Sequence, residues 1–308
     1  MPTPMPPPPT APPAASPSVL ALVPPDDRAS GLWRQRWPIA TLNARGHRVG
    51  TVVADPGDDG WLAGTGGFDV VVLPRFALPA ADQADVGRWF AAVRATGGVV
   101  IGDYDDHLWL PDAAHAAGLW LARETPAGYA PVRPQRADEI LTLADRLVAL
   151  RVLDAVTVST PALAAVVRAL TPAPVAVVPN LLDLPWFRAV RDACPRHAGD
   201  GLTIGWAGGL RNAEDLAPVF AAWRRLAVRY PHLTHVTFGD VVAGIADLPR
   251  DRHVHIPRVE LARYPAGFAS IDIGCAAVAD TPMGRCRSLN KLVEYGAAGL
   301  PVVASRAL

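Results

Sequence analysis

The sequence predicts an α/β fold made of two doubly wound domains with parallel sheets. Short runs of apolar and β-branched residues alternate with longer segments of helical periodicity, as in parallel α/β proteins. Most of the apolar runs are continuous, which is typical of strands that are buried on both faces. The pattern restarts after a polar stretch at residues 195–201, and 308 residues are enough for about two domains.

The overall composition favours binding of small molecules. The chain has 29 Lys and Arg against 29 Asp and Glu, so its formal net charge of zero gives no attraction to nucleic acid or to an anionic membrane. The three cysteines, Cys194, Cys275 and Cys286, are far apart and lack the pairing of a disulfide framework or a zinc site. We therefore expect a cytoplasmic protein, with peripheral contact to the inner face of the membrane left open.

The chain begins with a Pro-rich segment that cannot form a helix or a packed core. This segment lacks the cationic start and the apolar stretch of a signal peptide. No run of about 18 apolar residues follows it, so the sequence indicates no membrane-spanning helix. We expect residues 1–17 to be a disordered tail.

The remaining chain divides into an N-terminal domain at 18–183, a linker at 184–201 and a C-terminal domain at 202–308. Because the chain stops just after an apolar run, we expect the second domain to be incomplete at its C-terminus. The expected helices lie at 81–96, 138–150 and about 212–230. The expected strands lie at 19–23, 51–54, 70–73, 99–102, 155–159 and 175–178 in the first domain, and at 202–207, 235–238, 271–275 and 301–305 in the second.

A helix predicted to begin near Ser288 carries the most informative charges of the second domain. Arg287, Lys291 and Glu294 recur at spacings of four and three, which places them along one side of that helix. A helix N-terminus with two cations can bind a diphosphate, and a carboxylate can accept hydrogen bonds from ribose hydroxyls. The alternative is a solvated ion pair on an amphipathic helix.

In the first domain, acidic residues follow a predicted strand. Asp103, Asp105, Asp106 and His107 lie at its C-terminal end, where open α/β sheets bind ligands. Asp103 and Asp105 match the Asp-x-Asp pattern that can hold Mg²⁺ or Mn²⁺. That metal-binding motif is typical of proteins with a single sheet. This chain shows two series of strands, so we expect no metal ion at these residues. Capping of a following turn by an aspartate is the other alternative.

Several short segments form a specific set, and the most informative stretch runs from Arg285 to Ser305. The segments are Ala155-Val-Thr-Val-Ser-Thr160, Val177-Val-Pro-Asn-Leu-Leu-Asp183, Ile204-Gly-Trp-Ala-Gly-Gly209, Phe268-Ala-Ser-Ile-Asp-Ile-Gly274, Arg287-Ser288, Lys291-Leu-Val-Glu-Tyr295, Ala297-Ala-Gly299 and Pro301-Val-Val303. Together they resemble the glycogen-synthase-like glycosyltransferases of the GT-B fold, which have two Rossmann-like domains facing a cleft. The resemblance is closest to bacterial members that build surface polysaccharides, and it extends from about Val19 to the end of the chain.

The resemblance implies transfer of a sugar from a nucleotide-sugar donor to a glycan or lipid-linked acceptor. The donor is a co-substrate, so no cofactor is expected, and by analogy the reaction is retaining and independent of metal. Glu294 would contact the ribose of the donor. The other implied residues are Arg287, Ser288, Lys291, Gly208, Gly209 and Arg211 near the phosphates, Ser30, Gly31 and Arg34 in a loop against donor or acceptor, and Asp105, Asp106 and His107 at sugar hydroxyls or in proton transfer.

One departure from the family keeps other functions open. Many relatives have a second glutamate eight positions before the ribose-binding one, where this chain has Cys286. A sugar-nucleotide epimerase of the same fold and a non-catalytic nucleotide- or glycan-binding relative are the alternatives. An NAD-dependent dehydrogenase is disfavoured because no Gly-x-Gly-x-x-Gly follows the first strand of either domain. Tyr264 and the turn at 255–257 could border the base, although core packing is the favoured role of the tyrosine.

Overall fold

The computed structural model describes residues 17–23, 31–53, 67–74, 83–109, 122–125, 128–131, 143–194, 201–208, 213–239 and 248–306. The tail predicted for residues 1–17 lies outside the described residues except for Pro17. Ser30, Gly209 and Arg211 also lie outside them. Two parallel sheets with flanking helices are present, which confirms the predicted fold class.

The first domain contains a six-stranded parallel sheet with the strand order β2-β1-β3-β4-β7-β8. A two-stranded antiparallel hairpin, formed by β5 and β6, follows β4. The strands are β1 (Val19–Val23), β2 (Val49–Val53), β3 (Val70–Pro74), β4 (Val99–Tyr104), β5 (Ala122–Thr125), β6 (Gly128–Pro131), β7 (Ala155–Val158) and β8 (Val175–Val177). The helices are a π-helical turn (Leu32–Arg36), α1 (Trp37–Ala44), α2 (Gln83–Ala95), α3 (Leu143–Arg151) and α4 (Pro161–Arg168).

The second domain contains a five-stranded parallel sheet with the strand order β11-β10-β9-β12-β13. Its strands are β9 (Thr203–Gly208), β10 (Thr234–Gly239), β11 (His253–Pro257), β12 (Ile273–Ala276) and β13 (Val302–Ala304). Its helices are α5 (Leu184–Asp192), α6 (Ala213–Arg229), α7 (Pro282–Cys286), α8 (Asn290–Ala297) and two 3₁₀ segments, Arg250–Arg252 and Leu261–Ser270.

All ten predicted strands are present, with boundaries that differ by at most two residues. Strand β11 was predicted as a turn, and the β5–β6 hairpin was not predicted. Among the described strands, β11 pairs with β10 alone and forms the edge of the sheet. An edge strand does not need the apolar run of a central strand, and the short sequence of β11, rich in His and Pro, lacks such a run. Helix α6 matches the helix predicted at about 212–230, and its inward face contains the buried residues Leu216, Phe220, Trp223 and Ala227.

Ser288 does not cap the helix that was predicted to begin near it, and Arg287, which was predicted on the same helix, lies in extended backbone before it. Helix α8 begins at Asn290, and its N-cap is Leu289, which makes no side-chain hydrogen bond to the helix. The hydroxyl of Ser288 instead accepts a hydrogen bond from the side chain of Asn180, at 3.1 Å. A contact between the domains therefore uses the oxygen that a cap would need.

The segment predicted as a linker contains helix α5, which packs on the second domain. Phe187 of this helix is fully buried in the core of the second domain, where its ring lies 5.2 Å from that of Phe268. Arg188 and Arg191 donate hydrogen bonds to the carbonyls of Ala297 and Ala298 at the C-terminus of α8. Cations are favourable there because the helix dipole leaves negative partial charge on the last carbonyls.

Tyr295 joins the two central strands of the second sheet where they separate. Strands β9 and β12 pair only at Ile204 with Ile273 and at Gly205 with Gly274. Beyond those pairs, the Tyr295 hydroxyl accepts a hydrogen bond from the Ala207 amide at 3.0 Å and donates to the Cys275 carbonyl at 3.3 Å. It therefore provides a hydrogen-bond partner for two buried backbone groups where the two strands no longer pair.

The acid stability of the fold should depend on buried histidines. Burial lowers the pKa of His107, His235 and His253 below the ordinary value of 6.5. The unfolded chain then binds more protons than the folded chain as the pH falls through this region, so the stabilisation present above the unfolded pKa is lost. We expect the melting temperature to fall by several degrees from about pH 7.5 to about pH 5.5.

The variant His235→Phe tests whether His235 contributes to the loss of stability at acid pH. The ring of His235 is fully buried beside Trp223, at 5.2 Å between ring centroids, so a Phe ring preserves its packing. Thermal unfolding of the variant, followed by circular dichroism over the same pH range, should show a smaller decrease than the wild-type chain. An identical decrease would exclude His235 as a contributor.

Candidate functional site

The candidate residues of the second domain lie around the point where its strand order reverses. Strands β10 and β11 lie on one side of β9, and β12 and β13 lie on the other. Gly208 ends β9, whereas Arg287, Lys291 and Glu294 belong to the segment after β12. Ligands of open α/β sheets bind outside the C-terminal ends of the strands at such a point. The structure thus brings these four predicted residues to one end of the sheet.

Three side chains form a connected polar cluster there, which we call the Glu294 cluster: Tyr264, Lys291 and Glu294. The ammonium of Lys291 donates to the Tyr264 hydroxyl at 2.6 Å and to Oε2 of Glu294 at 2.7 Å. The Tyr264 hydroxyl donates to the same Oε2 at 2.9 Å. Because the Glu294 side chain is only 3% exposed, this pair differs from the solvated ion pair that the sequence left as an alternative.

Arg287 is held by a buried aspartate from helix α6. The carboxylate of Asp215 accepts hydrogen bonds from the Arg287 guanidinium and from the Ala279 amide, the latter at 2.6 Å. Asp215 is buried, whereas the Arg287 side chain retains 23% exposure. The aspartate therefore orients a cation that remains accessible at the start of the α8 segment.

The backbone approaches closely at the ends of β9 and β10. Gly239 is the register partner of Gly208 and has a φ of +114°, a region that other residues rarely adopt. A Cβ atom on Gly239 would lie 2.1 Å from the Gly208 carbonyl oxygen, which no side chain could tolerate. Glycine is therefore required at 239, next to the predicted phosphate-binding residue Gly208.

In the first domain, Arg34 forms a buried ion pair with Asp103. Its Nε donates to Oδ2 of Asp103 at 2.9 Å, and a second guanidinium nitrogen donates to Oδ1. Thr157 of β7 donates to the same carboxylate at 2.6 Å. Although burial alone would lower the pKa of Arg34, the hydrogen bond and charge of Asp103 and the charge of Asp105 raise it. The Arg34 guanidinium therefore stays charged.

This ion pair gives Asp103 a partner other than a metal. In the described part of the chain, no cluster of three or more His, Cys, Asp or Glu residues has the arrangement to hold a metal ion.

The Arg34 guanidinium reaches the carboxylate of Asp103 from the π-helical turn, which ends shortly before Pro38. Proline lacks the N–H that an α-helix would need at that position, which favours the wider turn.

Asn180, which follows β8, connects the ion pair to the second domain. Its side-chain oxygen accepts a hydrogen bond from Arg34 at 3.2 Å. Its amide nitrogen donates to Ser288 Oγ at 3.1 Å and to Asn290 Oδ1 at 2.9 Å. Arg34 also donates to the Val178 carbonyl. One asparagine therefore contacts side chains from both domains.

The predicted catalytic residues Asp105, Asp106 and His107 form the bend after β4. The two aspartates are partly buried, and the Asp105 carbonyl accepts a hydrogen bond from Ser159 at 3.2 Å. His107 is buried, and its Nδ1 has no hydrogen-bond partner among the residues that the structure describes. Burial lowers the pKa of His107, so its imidazole is neutral at pH 7.

Two further predicted residues lie in the described part of the chain. Gly31 is buried directly before the π-helical turn, and Ser288 lies between the domains. The structure adds two polar residues without a predicted role in the site, Asn180 and Asp215. It also brings Tyr264, for which core packing was the favoured role, into contact with Glu294. A signal existed for Asn180, which lies in one of the segments that resemble the family, whereas the partners of Asp215 and Tyr264 are about 70 and 30 residues away.

Comparison with solved structures supports the two-domain fold. An alpha-glucosyltransferase solved with UDP and a DNA 13-mer containing an HMU base aligns with a TM-score of 0.58 and 11% identity, over 95% of this chain and 80% of its own. The trehalose 6-phosphate synthase of Burkholderia multivorans gives a TM-score of 0.55 and 10% identity, over 94% of this chain and 83% of its own. A UDP-N-acetylglucosamine 2-epimerase-like protein of Listeria monocytogenes gives 0.50 and 12%, over 94% and 79%.

Sequence comparison adds no family assignment. No family model and no curated protein sequence matches the chain. The chain spans only 40% of the length of another structural neighbour, TarM, with a TM-score of 0.46. Within the described residues, no helix has the length and apolar character to cross a membrane. At these identities the comparisons establish the fold: this chain has the two-domain GT-B architecture of its structural neighbours.

Loss of Arg34 should destabilise the protein as well as any ligand site. The variant Arg34→Met leaves the buried Asp103 carboxylate without its cation, which costs about 3–5 kcal/mol of unfolding free energy for a buried pair. Urea unfolding should show this loss, whereas Arg45→Met, at an exposed position, should change stability by less than about 0.5 kcal/mol. Equal stability of the two variants would contradict a structural role of the pair.

Proposed function

We propose that this protein is a glycosyltransferase that uses a nucleotide-sugar donor and a glycan or other acceptor. The observation that carries the proposal is the arrangement at the strand reversal of the second sheet. There, Arg287 and Lys291 provide positive charge near the start of α8, and the buried Glu294 provides a carboxylate one turn further. A diphosphate beside a ribose presents the complementary groups in the same order.

Within this proposal, the cations act on the leaving group. Breaking the bond between sugar and diphosphate places negative charge on the departing phosphate oxygens. Arg287, oriented by Asp215, and Lys291 would stabilise that charge through fixed hydrogen-bond donors. This chemistry needs no nucleophilic side chain, and in our proposal the reaction is retaining and independent of metal.

The first domain would contribute the acceptor side of the cleft. His107 follows Asp105 and Asp106 at the C-terminal end of β4, and its lowered pKa keeps the imidazole uncharged at pH 7. A neutral imidazole can bind sugar hydroxyls by hydrogen bonds or accept a proton from them. Two aspartates beside it offer further acceptors for hydroxyl groups.

An epimerase that acts on a nucleotide sugar is the second candidate. It is favoured by the fold match to the Listeria monocytogenes protein, which covers 94% of this chain. An epimerase converts its nucleotide sugar without an acceptor, whereas a glycosyltransferase releases nucleoside diphosphate in proportion to the acceptor modified. Incubation of the chain with the donor alone, followed by chromatography of the sugar nucleotides, distinguishes the two reactions.

Substitution of Glu294 tests the donor site. Glu294→Ala should weaken binding of the preferred nucleotide sugar about 10-fold or more, because hydrogen bonds to a charged group contribute about 1.5–3 kcal/mol. Calorimetry with UDP-, GDP-, dTDP- and CDP-sugars, with and without Mg²⁺, first identifies that nucleotide. The exposed Glu260 provides the matched control, Glu260→Ala, which should bind normally. Equal affinity of both variants would remove Glu294 from the site.

Substitution of Arg287 tests the stabilisation of the leaving group. Arg287→Ala should lower kcat about 100-fold, since loss of one fixed donor to a developing charge has an effect of that order. The control is Arg285→Ala, two residues earlier, whose side chain is 64% exposed and pairs with Asp280. Release of nucleoside diphosphate is measured under steady-state conditions. A decrease in melting temperature without any change in kcat would show that Arg287 serves only the fold.

A further inference from the structure

The two carboxylate oxygens of Glu294 are hydrogen-bonded unequally within the Glu294 cluster. Both hydrogen bonds that Glu294 accepts from the described side chains go to Oε2, one from the Tyr264 hydroxyl and one from the Lys291 ammonium. A carboxylate oxygen has about two lone-pair positions. The acceptor capacity of Oε2 is therefore filled by the protein, so a ligand that leaves the cluster intact would meet Oε1.

Tyr264 is itself held in place on its remaining sides. Its ring stacks on Phe238 at 5.3 Å and meets the edge of Phe268 at 5.3 Å, while Lys291 lies 5.3 Å from the ring centroid. The two phenylalanines are buried in the core of the second domain. The hydroxyl of Tyr264 is therefore presented to Glu294 by a rigid aromatic support.

The direction of the hydrogen bonds within the cluster is also fixed. An ammonium can only donate, so the Tyr264 hydroxyl accepts from Lys291 and donates its own proton to Glu294. Burial and the nearby Glu294 charge raise the pKa of Tyr264 well above its ordinary range, so the hydroxyl keeps this proton. Hydrogen bonds that run in one direction strengthen one another.

We propose that Tyr264 is a positioning residue that fixes the ribose-binding carboxylate, occupying Oε2 so that Oε1 receives the ribose hydroxyls of the donor. This inference rests on the proposed donor site. It makes Tyr264 responsible for part of the discrimination between ribonucleotides and deoxyribonucleotides, although its own hydroxyl need not touch the ligand. The same contacts occupy two of the three N–H groups of Lys291 and leave one for a phosphate oxygen.

The test uses nucleoside diphosphates as probes. Among UDP, GDP, ADP and CDP, the one that the wild-type chain binds best is compared with its 2′-deoxy and 3′-deoxy forms by calorimetry. We expect Tyr264→Phe to weaken binding of the ribonucleotide about 5–20-fold and to reduce its preference over at least one deoxy form several-fold, because the carboxylate is no longer fixed. Tyr230→Phe removes a hydroxyl from an exposed tyrosine and should change neither quantity.

The ratio of affinities separates positioning from packing. If Tyr264 served only the fold, Tyr264→Phe would weaken the ribo and deoxy forms alike, and an unchanged ratio would overturn the inference. The double variant Tyr264→Phe/Glu294→Ala provides a second criterion, since Tyr264 should have no effect on the ratio once Glu294 is absent. Additive effects of the two substitutions would equally overturn it.

Failure of the proposed function gives a different result. If the wild-type chain bound none of the four nucleoside diphosphates, the donor site and the inference would both be wrong. If it bound one of them but did not discriminate ribose from deoxyribose, the donor site would remain, while the role of Glu294 and Tyr264 at the ribose would be excluded. Circular dichroism of each variant verifies that the fold is retained.

Discussion

The buried ion pair between Arg34 and Asp103 joins the parts of the molecule that surround the candidate site. It links the turn after β1 to the end of β4, and Thr157 adds the end of β7. Asn180 extends the same network to Ser288 and Asn290 at the start of α8. A buried pair keeps both charges only while each retains its partner. One hydrogen-bonded network therefore connects the first-domain part of the proposed site with its second-domain part.

Helix α8 is rigidly attached to the second sheet, although it is only eight residues long. The Tyr295 hydroxyl joins it to β9 and β12, and Arg188 and Arg191 bind the carbonyls at its C-terminus. Gly274 is required beneath it, since a Cβ there would lie 2.6 Å from the Tyr295 ring. Glu294, the residue before Tyr295, is thereby held in a fixed orientation. A side chain that is already fixed loses little conformational entropy when a ligand binds.

The contact at Cys286 gives a physical reason for the cysteine at a position where the family that the sequence resembles often has a glutamate. The Cys286 side chain is buried within the apolar core of the first domain, and its carbonyl accepts a hydrogen bond from Thr160 at 3.0 Å. A glutamate at this place would bury a charge in an apolar environment without a partner, at high cost. The position eight residues before Glu294 therefore serves the contact between domains in this chain, and the proposed chemistry depends on Arg287, Lys291 and Glu294.

The sequence by itself determined the two sheets, the ten strands that the apolar runs mark, and the spacing of Lys291 and Glu294 on α8, because periodicity and spacing are local properties. It placed Arg287 on the same helix, whereas that residue lies in extended backbone before α8. It could not determine the partners of these residues. Arg34 and Asp103 are 69 residues apart, Asp215 and Arg287 are 72 apart, and Asn180 and Ser288 are 108 apart. Only folding brings such pairs together. The tertiary structure therefore decided that Arg34 is a buried partner of Asp103, that Ser288 contacts Asn180 and that Tyr264 belongs to the Glu294 cluster.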